Sequence, residues 1–154
     1  MKKEELIEKA MQISEPSRDA CAEYASKSEL LAETLNLMML KRDDLDRMIG
    51  KGNRNMMMDN HRNHARFMKS LFTAYSPEVF VDTILWVFRA YRSHGFQLIY
   101  WAAQLDNWIT VMKQHLSKET YEELFPFYEF MLLNQPAFAQ LTDEDVEKNH
   151  QMRH

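Results

Sequence analysis

Apolar residues in this chain recur three and four positions apart in every long segment, with lysine, glutamate and asparagine between them. That spacing is the period of an amphipathic helix, because residues i, i+3 and i+4 share one face. In 3–14 the stripe is Leu6, Ile7, Ala10 and Met11, and Pro16 ends this N-terminal helix within the first 16 residues, since proline cannot continue the ladder from inside. Residues 17–26 predict a short alanine-bearing helix. Residues 28–49 predict a longer one with two stripes, Leu31, Leu35, Met38, Leu45 and Ile49 on one and Leu30, Leu37 and Met48 on the other. A helix with two apolar stripes has more surface than one core covers, so Leu31, Leu35 and Met38 are the predicted homodimer interface.

"GKGN" at 50–53 breaks the chain. The next helix, 54–75, carries Met57, His61, His64, Phe67, Met68, Leu71 and Phe72. "YSPE" then supplies an N-cap serine, a proline suited to the first helical position and a glutamate that complements the helix dipole. The helix it opens, 77–94, is apolar on several sides and predicts a central, covered position, with Gly95 as its stop. Residues 97–116 place Leu98, Ala102, Leu105, Ile109, Met112 and Leu116 on one stripe, with Trp101 and Trp108 beside it. Ser117 caps a last long helix in which Pro126 predicts a kink or two abutting helices, and a polar segment from Thr142, 142–154, predicts a frayed end. The fold class is all-α, a single helical domain over 1–154 of about seven helices.

Composition agrees. Three glycines and four prolines in 154 residues leave little material for the turns of a β-fold. The formal net charge of −4 is modest and both signs are interspersed, so there is no basic footprint for nucleic acid. The most apolar run, "VFVDTILWVF", contains Asp82 and is well short of a bilayer span. A single cysteine, Cys21, forms no internal disulfide, and no secretory signal is visible, so the expected location is the cytoplasm, away from any membrane.

The order of elements from Tyr75 to about Leu133 carries a resemblance. "YSPEVFVDTILWVFRAYRSHGF", an amphipathic helix ending near "VMKQHL", and "SKETYEELFPFYEFML" resemble the last three helices of non-haem globin-like sensor domains. The nearest group is the N-terminal domains of stressosome RsbT co-antagonist proteins. The resemblance implies a globin-like fold without haem, a dimer, and a sensory or docking role toward an unidentified protein partner. Proteins of that group carry a phosphorylatable output domain after the globin-like part, which this sequence does not include.

Candidate chemistry centres on "MMMDNHRNHARFM", residues 56–68. His61 and His64 share a helix face and could approach one ion or ligand, but no second pair at ligand spacing accompanies them. The expected role is hydrogen bonding across a helix interface, with pH as the stimulus they could report. The alternative is a haem-binding gas or redox sensor using His61, His64 or His94; against it, His94 is the sole histidine on 77–94 and sits at its last position. Trp101 and Trp108 could line an apolar ligand pocket between helices 77–94 and 97–116. Consecutive methionines at 56–58 point in different directions on a helix and cannot converge on copper. The paired carboxylates Asp43/Asp44, Glu122/Glu123 and Asp143/Asp145 fall in charge-mixed stretches that read as surface. No phosphate loop, nucleophile elbow or di-iron motif is present, so the expectation is a non-enzyme with no metal and no cofactor.

Overall fold

The computed structural model describes the backbone of residues 1–152 and the side chains of residues 1–143. Eight helices and no strand occur among them: α1 (Lys3–Ala10), α2 (Arg18–Leu40), α3 (Leu45–Ile49), α4 (Arg54–Thr73), α5 (Pro77–Ser93), α6 (Leu98–His115), α7 (Lys118–Leu133) and α8 (Gln135–Met152). They form a helical bundle. Among the described residues no helix is long and apolar enough to cross a membrane.

α2 is the centre of the bundle, packed against α4, α6 and α7, while α5 packs chiefly on α1 and α8. This placement corrects the dimer assignment. Leu31 and Leu35 are fully buried inside the monomer and Met38 is half-buried, so the stripe that looked surplus is the seam covered by the neighbouring helices. Met48 belongs to the core as well, which leaves only Leu30 and Leu37 exposed from the second stripe.

Several boundaries also differ from expectation. The two helices predicted over 17–26 and 28–49 are one helix, α2, followed by a turn and the short α3. Nothing between Ala25 and Leu30 interrupts the ladder, since serine and lysine are tolerated in a helix interior once α2 is packed on both flanks. α7 runs unbroken through Pro126, because Phe127, Tyr128, Phe130 and Met131 beyond it are all buried and hold that half in place. α8 begins at Gln135, not at Thr142. Thr142 is buried within it and its hydroxyl donates to the Phe138 carbonyl, so it caps nothing. The expected fraying of 142–154 concerns side chains that mostly lie outside the described residues. α5 is not wholly covered either: Val79 and Trp86 are exposed, Trp86 at 64%. The buried face of α6 is rotated from the expected stripe, running through Trp101, Gln104, Leu105, Trp108 and Met112, while Leu98 is exposed.

Two N-caps tie the first turns of α2 and α7 together. Ser17 caps α2 by accepting from the Ala20 amide at 3.2 Å, and Ser117 caps α7 by accepting from the Thr120 amide at 3.3 Å. Each serine then donates both its backbone N–H and its hydroxyl to a carboxylate six residues into the other helix. Ser17 donates to Glu123 at 2.7 and 2.8 Å, and Ser117 donates to Glu23 at 2.6 and 2.7 Å. Glu23 also accepts from the Thr120 hydroxyl at 2.8 Å and from Lys27 at 3.1 Å. These bonds hold its carboxyl far below the usual range, at about 2, against the opposing effect of burial.

Candidate functional site

α4 and α5 do not pair closely along their length. Between them opens a cavity of about 290 Å³, backed by α6. The sequence makes this gap because α5 turns its best apolar residues toward α1 and α8 as well as toward α4. Its walls are apolar: Phe67 and Met68 from α4, Ile84 and Val87 from α5, Trp101 and Leu105 from α6. Trp101 lies flat against Phe88, with ring centroids 4.6 Å apart. Trp86 and Tyr91 line the cavity from positions that remain at least partly open to solvent.

A polar corner interrupts this wall. Asn60, Asn63 and His64 of α4 and Gln104 of α6 all line the cavity. Gln104 is only 3% exposed, yet makes no hydrogen bond among the described residues. The indole N–H groups of Trp101 and Trp108 are sealed without partners, whereas the Gln104 amide opens onto the cavity. A buried amide without a protein partner costs about 1–3 kcal/mol, so it needs water or a ligand to complete it.

His61 does not line the cavity. Its Nδ1 lies 2.5 Å from the Asn36 carbonyl oxygen and its Nε2 lies 2.9 Å from the Tyr100 hydroxyl. A carbonyl only accepts, so Nδ1 carries the proton and donates, and Tyr100 donates to Nε2. Tyr100 in turn accepts from Asn60 at 2.8 Å. Both ring nitrogens are thus used, and burial lowers the pKa of His61 to about 3, keeping it neutral. Burial raises the Tyr100 hydroxyl well above its ordinary value.

His64 sits in a second chain. Its ring stacks on Trp108 at 4.7 Å, and its Nε2 lies 2.9 Å from the Tyr128 hydroxyl, which is 3.3 Å from that of Tyr24. Tyr24 and Tyr128 are both fully buried. Only one order of donation gives every hydroxyl proton an acceptor: Tyr24 to Tyr128, then Tyr128 to Nε2 of His64. The reverse would strand the Tyr24 proton. Nδ1–H of His64 is then a donor without a partner among the described residues, at the cavity wall. Its surroundings lower the His64 pKa as well.

Of the residues singled out from sequence, His64 and Trp101 meet at the cavity. His61 and Trp108 stand behind it, fully buried, and act through hydrogen bonding and packing. The pocket is lined by α4 and α5 over α6, not by 77–94 and 97–116 alone. For haem, the histidines are unevenly placed. His61 has no free nitrogen, and His94 is exposed at the end of α5, where its carbonyl accepts from Asn53 at 2.8 Å. Cys21 donates its thiol to the Phe72 carbonyl at 3.1 Å, and burial raises its pKa, the opposite of what a reactive thiolate needs. No group of three or more metal-ligating side chains occurs among the described residues.

Sequence reasoning passed over Gln104, Asn60 and Asn36. The signal was present in each: an amide on an otherwise apolar helix face, with Gln104 between Trp101 and Trp108 and Asn36 between Leu35 and Met39. Compared with known proteins, the chain matches no family model, no curated protein and no solved structure.

Proposed function

We propose that this protein is a non-catalytic sensory module of globin-like helical type that works without haem and binds a small, largely apolar molecule in the cavity between α4 and α5. The observation that carries this reading is the Gln104 amide, buried in an apolar wall, open to the cavity and lacking a partner. Pockets of roughly 300–1,000 Å³ with apolar walls and a few convergent polar groups are the usual form of a small-molecule site. Its lower end suits a compact ligand.

α5 supports a route for the signal. It faces the cavity through Ile84, Val87 and Phe88 and contacts α8 through the Phe88–Phe138 ring pair and through Arg92, which donates to the Ala139 carbonyl and Thr142 and pairs with Asp143 at 2.8 Å. A ligand that wedges α5 away from α4 would move α8 with it, and would shift that equilibrium only by its preference for the open state. A homodimer and a protein partner belong to the same reading, with the exposed Leu30 and Leu37 of α2 as the apolar surface available for them.

The test is titration with N-phenyl-1-naphthylamine, an uncharged dye that fluoresces in apolar cavities. Saturation at one equivalent is expected, with quenching of tryptophan emission, and Val87→Trp, which fills the half-buried wall, is expected to abolish it while leaving the helical spectrum intact. A dye that does not saturate, or that binds Val87→Trp as well as wild type, would remove the cavity from the function.

A further inference from the structure

We infer that the ligand of this cavity carries an uncharged hydrogen-bonding head of the carboxamide class, placed inward against His64 and Gln104, with its apolar body toward Trp86. The inference rests on the binding reading above and specifies its chemistry.

Three observations converge. First, among the described residues no aspartate, glutamate, lysine or arginine lines the cavity. Bringing an ionised head into an apolar recess without a counter-charge is strongly unfavourable, whereas a neutral amide needs only its hydrogen bonds completed. Second, the donors and acceptors match a neutral head. The free Nδ1–H of His64 donates, the Gln104 amide both donates and accepts, and the Asn60 side-chain carbonyl, beside an NH2 that gives one hydrogen to Tyr100, accepts. A carboxamide can satisfy both signs at once; a carboxylate offers only acceptors and an ammonium only donors. Third, the cations nearby are engaged outside. Arg62 is held by Glu33 at 2.7 Å and by Asp59 at 3.2 Å. Arg66 donates to the Asn63 carbonyl at 3.0 Å from the exposed side of the rim.

The experiment uses octanamide, octanoate and octylamine, three probes with one body and three head charges, each displacing N-phenyl-1-naphthylamine from the wild-type protein near neutral pH. Octanamide is expected to bind about tenfold or more tightly than either ion, the factor that corresponds to roughly 1.4 kcal/mol. Gln104→Met is expected to remove that preference, with the helical spectrum of the protein intact. Gln104→Glu is expected to turn it toward octylamine. Octanoate binding as tightly as octanamide would overturn the inference, and loss of that octanoate binding in Arg66→Ala would place the head at the rim, pointing outward. These outcomes leave the cavity reading standing. Failure of the dye itself is the separate result that would remove both.

Discussion

Glu23 is the carboxylate that holds the start of α7 onto α2, and replacing it with glutamine tests that dependence directly. Glu23→Gln keeps the shape but exchanges one acceptor oxygen for an NH2 group, which would face a donor, either the Ser117 amide or the Ser117 and Thr120 hydroxyls. The native carboxyl is lowered from 4.5 to about 2, which at roughly 1.4 kcal/mol per pH unit is on the order of 3 kcal/mol of preference for the ionised form. The side chain is 20% exposed, so solvent weakens these bonds and about 2 kcal/mol is the expected loss on urea unfolding at neutral pH. The contribution is complete above the unfolded carboxyl value of 4.5 and is lost as pH falls from there toward 2. The mirror clamp provides an internal comparison. Among the described residues Glu123 accepts from Ser17 alone, so Glu123→Gln is expected to cost about 1 kcal/mol. A double-mutant cycle of Glu23→Gln with Ser117→Ala should show coupling of about 1 kcal/mol, since each change removes part of the same set of bonds. Losses that simply add, or a loss under about 0.5 kcal/mol for Glu23→Gln, would refute the clamp as a source of stability.

Two further outcomes follow from the same structure. His61 and His64 are held neutral, with His61 lowered from 6.5 to about 3, so the unfolded chain takes up protons first and stability falls as pH drops from 6.5 toward 3. The slope should approach about 1.4 kcal/mol per pH unit for each histidine in urea titrations, and a stability flat between pH 7 and about 5 would refute it. Leu35→Ala should destabilise the monomer by about 2–5 kcal/mol, whereas Leu37→Ala, on the exposed side of α2, should change it by less than about 0.5 kcal/mol; equal effects would mean that α2 is rotated from its place here.

The helices were legible because each burial stripe is written locally. Ser76, Pro77 and Gly95 bound α5 where their cap chemistry predicts, with Gly95 at a φ of +99°, and Ser117 begins α7 as expected. The dimer surface was misread for a related reason. Periodicity reveals how wide the apolar face of α2 is, but not how many neighbours cover it, and the number of neighbours depends on contacts between segments far apart in the chain. The Ser17–Glu123 and Ser117–Glu23 bonds were hidden in the same way, each spanning about a hundred residues between stretches that read as ordinary charged surface.

The cavity sits between these cases. His64 and Trp101 were legible as candidates because they are unusual residues, but what distinguishes His64 from His61 is the direction of proton donation. Asn36 and Tyr100 occupy both nitrogens of His61, while Tyr24 and Tyr128 supply one proton to His64 and leave its other nitrogen free. A buried polar group that is fully satisfied helps specify the packing around it, and one left open holds a place for something else. By that criterion the structural histidine is His61, three residues away on the same helix from the one that keeps a nitrogen open. Gln104 meets the same criterion more plainly, as an amide set between two tryptophans where a leucine would have packed without penalty.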